Sequence, residues 1–581
     1  MTEGNISVEK LKARFPEAIL GVTDCRGDTT VTMDRARLLD ICRFLRDDPE
    51  LAYDLLLFVT GVDRLGLSLT PRFAVVYNLY SLKHRRRLLL KIPLPGDPPL
   101  CPSVTSIWPG ANWHERETYD LMGIVFEGHP ALCRIMLPDE WVGHPLRKDY
   151  PLGGEPVAFS ATLDDPALAG LGQQVHSAPT FPPKLPPAWV SSPDTMIVNM
   201  GPQHPATHGV LRVVLELDGE TIVRCWPDPG HLHSGIEKTL EYKTYMRGLP
   251  YTDRMDYAAA MTNNLGFVLA VEKALGVEAP PRAQFLRVIL CELQRLASHC
   301  LWIGTHCLDL SGTIMSLLQY AFWMRENILD IFEMVSGARM TPSYICVGGL
   351  RQDVPAAFAP RVSEFVTDFL KKLREWEIML TDNPIWISRT KGVGYLSLAD
   401  AIAWGVTGPC LRGSGLDFDV RKYMPYCGYE QFDFEIPTET AGDCYARYLV
   451  RVEEMKQSVR IIRQALDKLP AGPVQVNDRK IALPPRDELT ANMEALIHQF
   501  KLVTEGFHVP PAEVYAAVEA PKGELGYYLV SAGGPMPYRM KIRGPSFSNI
   551  AASSFMAVGE GIADMVAIIG SIDITLGEVD R

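Results

Sequence analysis

A chain of 581 residues is too long for one ordinary core, and 47% apolar with 22% charged residues is the balance of a folded protein. Its net charge of -12 argues against nucleic acid as a partner, because phosphate binding needs a basic surface. No stretch reads as a membrane span; the most apolar, from Phe555 to Ile574, is broken by Glu560, Asp564 and Asp573.

In chain order, MTEGNISVEKLKARF carries acids and no apolar core, so no signal peptide is expected and a cytosolic address follows. Leu38, Ile41, Cys42 and Leu45 fall at helical spacing after Asp34, which can cap the helix. The runs PRFAVVYNLYSL and RRLLLKIPL, on either side of Lys83–Arg86, read as an antiparallel hairpin. Residues 1–152 are therefore expected to form a small α+β domain. Residues 153–193 are proline-rich, and proline blocks both helix interiors and central strands, so this stretch reads as a linker.

The region 194–581 opens with strands, Ile197–Met200 and Val210–Leu217, around the loop GPQHPATHG, and Asp218–Gly219 turns into ETIVRCW. Beyond Tyr242 the pattern is mainly helical. RAQFLRVILCELQRLASHCLWIGTHCLDL has no internal proline and is apolar on much of its circumference, the mark of a helix buried in a bundle. Further helices are expected at Val354–Thr381, Asp443–Leu469 and Asp487–Leu502, and GYYLVS with PYRMKIR suggests a second small sheet. The twelve cysteines are scattered and none are spaced C-x-x-C, so neither a disulfide framework, an iron–sulfur site nor a structural zinc is expected.

Three segments concentrate titratable groups. His204 and His208 lie in GPQHPATHG, where proline and glycine favour a loop that can present side chains to a cavity; as metal ligands they lack a third partner nearby. His231, His233, Glu237, Lys238, Glu241, Asp253, Arg254, Asp256 and Tyr257 crowd the next segment, and ion pairing is as good an account of them as function. His299, His306 and Asp309 share the apolar helix, where a carboxylate is costly unless paired and a histidine is its natural partner, for structure or for chemistry.

Together and in this order the motifs resemble the D subunit of NADH:quinone oxidoreductase (respiratory complex I), through GPQHPATHGVLR, EKTLEYKTY, PYTDRMDY, HCLDLSGTIMS, VSGARM, LRGSGLDFDVRK, VEAPKGELGYYLVS and SIDITLGEVDR. The first region resembles the C subunit of the same complex through WHERETYDLMGIVFEGHP and RIMLPDEWVGHPLRKDYPL. The resemblance implies a fused C/D subunit, with a mainly helical second domain like the large subunit of nickel–iron hydrogenases. It implies His208 and Tyr257 as proton donors to a quinone, Asp309 as the partner of His208, and His204, Arg254 and Asp256 around them. This chain would bind no cofactor alone: iron–sulfur clusters and FMN would reside in partner subunits, among them a cluster-bearing small subunit. The membrane arm would be reached through partners, at the cytoplasmic face of the bacterial inner membrane. Loss of a proton from His208 would leave Asp309 short of its partner and start the signal to the pumps. The N-terminal Glu115, Arg116, Glu117, Arg147 and Lys148 are expected to serve the interface or fold. Two departures are Ser234, where the family usually has arginine, and Thr341, where many members have histidine. The rival readings are a hydrogenase-type large subunit that has lost its metal site, since soft thiolate pairs are missing, and a non-catalytic scaffold.

Overall fold

The computed structural model describes residues 6–67, 69–151, 192, 194–310 and 315–581. The expected linker lies almost wholly outside these residues.

In the N-terminal region, Ile19–Cys25 (β1), Asp28–Met33 (β2), Leu55–Asp63 (β3), Phe73–Ser81 (β4) and Arg86–Leu94 (β5) form one sheet in the order β1-β2-β5-β4-β3. The expected hairpin is β4 with β5, turning at Arg85, which has φ 53°. The three other strands escaped the sequence reading. Every residue of β3 is buried, as in β4, but residues 64–72 part the two and no short turn marks them as a hairpin. Asp34 caps not the helix itself but a 3-10 turn, Arg35–Arg37, that feeds helix Leu38–Asp47. Helix Ala111–Met122 closes on β3 where Gly61 leaves room, since a Cβ there would stand 2.6 Å from the Met122 sulfur. Leu100–Pro102 (β6) and Val125–Glu127 (β7) pair beside it.

Met196–Met200 (β8), Arg212–Asp218 (β9) and Thr221–Asp228 (β10) form a meander, as expected. The helical body comprises Ala260–Leu275, Pro281–Leu310, Met315–Ser336, Phe358–Leu380 and Cys444–Asp467. Pro281 opens the longest of them, at the one position where its missing N–H costs nothing, and its 30 residues reach about 45 Å. The helix expected at Asp487–Leu502 is broken into Glu488–Ala491 and Met493–Thr504. Asn492 is extended between them and its side chain caps the Glu494 N–H at 2.9 Å, as asparagine favours caps over helix interiors. Ile345–Cys346 (β11) and Gly349–Leu350 (β12) are minimal. Ala512–Ala520 (β13), Gly523–Ser531 (β14) and Arg539–Arg543 (β15) form the second sheet. Helices Pro545–Met556, Ile562–Ile572 and Leu576–Asp580 end the chain.

The core does not divide where the sequence does. One apolar cluster joins Val31, Leu57 and Phe58 of the N-terminal region to Phe547, Ile568 and Val579 near the C-terminus; the other fills the helical body and one face of β13–β15. Polar pins reinforce the joint. The alternate cations of β15 all reach the N-terminal region: Arg539 donates to the Thr60 hydroxyl at 3.2 Å, Lys541 to Glu117 at 2.6 Å and Arg543 to the Leu57 carbonyl at 3.4 Å. No helix of the described residues is long and apolar enough to cross a membrane.

Candidate functional site

Backbone sterics shape the loop between β8 and β9. Gly201 has φ 82°, and a Cβ there would stand 2.1 Å from the Leu211 carbonyl oxygen, so only glycine fits. A 3-10 turn, Pro205–Thr207, follows, capped by His204, whose Nδ1 accepts from the Ala206 N–H at 3.2 Å. His208 closes the turn at φ 55°, a region uncommon for a residue with a side chain, and its N–H donates to the Pro205 carbonyl at 3.1 Å. Both imidazoles are exposed. The turn packs on helix Ile562–Ile572.

The turn of PYTDRMDY, between helices Tyr245–Thr252 and Ala260–Leu275, is anchored by two buried carboxylates. Asp253 accepts from Asn264 at 2.6 Å and from the Ser343 hydroxyl. Asp256 accepts from the Ala258 N–H at 3.1 Å and from the Thr575 hydroxyl at 3.2 Å. Arg254 points away, donating to the Pro250 carbonyl at 2.7 Å. Tyr257 is 40% exposed, and its hydroxyl has no hydrogen-bond partner among the described residues.

Lys522, in the tight turn between β13 and β14, joins these parts. It is buried, and its Nζ donates to Asp256 at 3.0 Å and to the Ser298 hydroxyl at 3.3 Å, with Asp573 at 4.0 Å. Burial works against its charge, but Asp256 and Asp573, with Glu578 behind them, hold its proton affinity above the ordinary lysine value. Asp573 ends helix Ile562–Ile572 in the left-handed region at φ 58°, buried, with Oδ2 free of any hydrogen bond.

His208 and Tyr257 sense the same two charges. Desolvation pulls His208 below the ordinary imidazole range; the Asp573 carboxylate opposes this and Lys522 adds to it. Desolvation pushes the Tyr257 phenol up; Lys522 opposes this, while Asp256 and Asp573 add to it. A loop histidine and a turn tyrosine thus share the neighbourhood of one buried Lys–Asp pair.

Asp309 lies on another element. It is half-buried at the end of the long helix; burial raises its carboxyl and the charge that opposes this is His204. No hydrogen bond or ion pair joins it to His208 among the described residues; the carboxylate that opposes the desolvation of His208 is Asp573. Nor does Asp309 pair with a histidine of its own helix. The buried His299 Nε2 lies 2.9 Å from Glu454 Oε2, on helix Cys444–Asp467. His306 is packed between Trp302 and Trp386, with neither ring nitrogen hydrogen-bonded, and burial pulls it to about 3.

The charges of EKTLEYKTY turn out to be joint residues. Lys148 donates to Glu241 at 2.7 Å, Lys238 to the Arg147 carbonyl at 2.8 Å, and Glu237 meets Arg539 at 2.8 Å. His233 Nδ1 lies 2.6 Å from the Asp580 carbonyl, while Ser234 is exposed. Lys522, Asp573 and Thr575 were missed as site residues. The available signal was Asp573 itself, an acid inside the most apolar stretch of the chain, which must find a partner.

The family described as respiratory-chain NADH dehydrogenase, 30 Kd subunit, matches residues 31–156, and that described as the 49 Kd subunit matches residues 312–581. The C/D subunit of NADH-quinone oxidoreductase from Methylococcus capsulatus is 41% identical over 573 residues, spanning 97% of this chain and 96% of that protein. The chain belongs to that C/D family. The C/D subunit of Gluconacetobacter diazotrophicus is 42% identical over 586 residues, spanning 97% of this chain and 94% of its own. One of the D subunits of NADH-quinone oxidoreductase from Roseiflexus sp., numbered 2, is 56% identical over 398 residues, 68% of this chain and 95% of that protein. As a fused C/D component of NADH-quinone oxidoreductase, the chain is one part of a multisubunit enzyme, and the other subunits are its partners.

Proposed function

We propose that this chain forms much of the quinone-reducing site of its complex, with His208 and Tyr257 as the proton donors. The observation that carries the reading is that the Tyr257 turn is pinned through Asp256 to the buried Lys522, beside Asp573, while the His208 turn packs on the helix that ends at Asp573. Reduction of a quinone to the quinol takes two electrons and two protons. The electrons come from an iron–sulfur cluster in a neighbouring small subunit, fed from FMN in another. This chain supplies donors for the two carbonyl oxygens. An imidazole whose proton affinity is lowered gives up a proton readily, and Asp573 opposes the loss of its charged form. The phenol donates only as the reduced quinone becomes strongly basic, and Lys522 eases the resulting negative charge. Asp309 acts through His204 on the same loop, with Arg254 at the rim and Asp256 anchoring Lys522. The second domain descends from the nickel–iron hydrogenase large-subunit fold, but where that chemistry needs thiolate pairs this chain reads PYTDRMDY and SIDITLGEVDR. The chain sits on the cytoplasmic side of the bacterial inner membrane and meets the membrane arm through partners.

Tyr257→Phe in the assembled complex tests the reading. Quinone reduction is expected to fall about a hundredfold, as general-acid contributions do, while NADH:ferricyanide turnover is kept. Unchanged quinone reduction would favour a scaffold.

A further inference from the structure

We propose that Glu117, in the N-terminal domain, is a positioning residue for the quinone site and acts through residues 573–581. The inference rests on the reading of that site given above.

Residues 573–581 touch Lys522, the Tyr257 turn and the loop GHLHSG in sequence. Asp573 faces Lys522 at 4.0 Å. Thr575 donates to Asp256 at 3.2 Å, beside Tyr257. Gly577 lies against the backbone of the same turn, so closely that a Cβ would stand 2.6 Å from the Met255 carbonyl oxygen and 2.9 Å from that of Arg254. Asp580 gathers the loop GHLHSG: its carboxylate accepts from the Gly230 N–H at 3.0 Å and the Leu232 N–H at 2.7 Å. Arg581 then holds the far end. Its carbonyl accepts from the Ile236 N–H at 3.1 Å, and its guanidinium donates to Glu117 at 2.8 Å and to Glu237 at 3.4 Å.

Glu117 is the member of this set that belongs to the N-terminal domain. One oxygen, Oε1, accepts from both Arg581 and Lys541, the latter at 2.6 Å, and Oε2 is buried without a hydrogen bond. All the charged side chains of the knot, Glu117, Glu237, Lys541 and Arg581, are buried. Desolvated ions of this kind are costly unless their geometry is good, and what they supply is a fixed arrangement rather than net stability. Holding the two domains together does not need them, because the domains are one polypeptide with a shared apolar core. Fixing the tail that carries Asp573 and Thr575 does. Without Glu117, the Arg581 guanidinium keeps the Ile542 carbonyl and, as its one remaining carboxylate, Glu237, which it shares with Arg539 and Lys541, and the tail loses its register against the Tyr257 turn.

The test compares the native complex with Glu117→Gln, Glu117→Asp and Arg581→Gln, using a short-chain quinone as substrate. Glu117→Gln is expected to raise the quinone KM about fivefold or more, the scale of a lost charge-assisted hydrogen bond, with NADH:ferricyanide turnover unchanged. Glu117→Asp, which restores the charge, should recover most of the native KM. Arg581→Gln should reproduce the defect, and the double variant should be no worse than either single one, because both cut one link. A native KM in Glu117→Gln overturns the proposal, as do effects that multiply in the double variant or a parallel fall of both activities. If Glu117→Gln does not assemble, Glu117→Asp and Arg581→Gln decide by the same KM criterion. Loss of activity in Tyr257→Phe with a native KM in Glu117→Gln sinks this inference alone. Full activity in Tyr257→Phe sinks the quinone reading itself.

Discussion

Replacing Lys522 by methionine keeps the apolar stem and removes the ammonium. Lys522 and Asp256 are each no more than 1% exposed at the side chain and stand 3.0 Å apart. Breaking such a buried pair from one side costs about 3–5 kcal/mol, because the remaining charge is stranded. Asp256 keeps its bonds from Ala258 and Thr575, which places the cost at the lower end, about 3 kcal/mol. The electrostatic effect has a definite sign. Lys522 lowers the proton affinity of both His208 and Tyr257, so its removal raises both. Both groups act as donors and must carry their protons, so in the pH dependence of kcat/KM for quinone both inflections lie on the alkaline side and should move together to higher pH, while Lys522→Arg should leave them in place. A Lys522→Met complex with native inflections, or with the two inflections moving in opposite directions, would refute the shared neighbourhood on which the site is built.

Other outcomes follow from individual contacts. His129 is pulled from the ordinary 6.5 to about 4 by burial, so the folded protein binds fewer protons than the unfolded chain between those values. Its contribution is intact above the unfolded value and is lost as pH falls through the folded one, about 3 kcal/mol in all; His129→Gln should flatten that part of the acid stability curve, followed by thermal unfolding. A Cβ at Gly570 would stand 2.0 Å from His306 Nδ1, and the ring is held between tryptophans, so Gly570→Ala should destabilise by about 1–3 kcal/mol. Adding His306→Ala should return part of that loss in the same melting assay. Asp309→Asn should lower the number of protons pumped per quinone reduced in proteoliposomes; full stoichiometry would separate the carboxylate from the pumping signal.

Much of the architecture was legible locally. The hairpin of β4 and β5 and the long helix Pro281–Leu310 announce themselves by period and by the placing of turn residues and proline. β3 did not: it is as fully buried as β4, but no short turn joins it to a second apolar run, since residues 64–72 separate the two. At the site, the motif loops were legible but their pairings were not. Asp309 and Asp573 both end apolar helices, and nothing in either segment says that a lysine 51 residues earlier in the chain stands beside Asp573.

By itself the chain's order of residues determined its family, its two matched regions and the two side chains offered for proton transfer. Only tertiary packing decided that the His208 turn lies on the helix ending at Asp573, that Lys522 binds the tyrosine turn beside it, and that the cations of β15 serve the N-terminal domain. These partners lie hundreds of residues apart, and a Coulomb interaction depends on distance in space, which local periodicity does not encode.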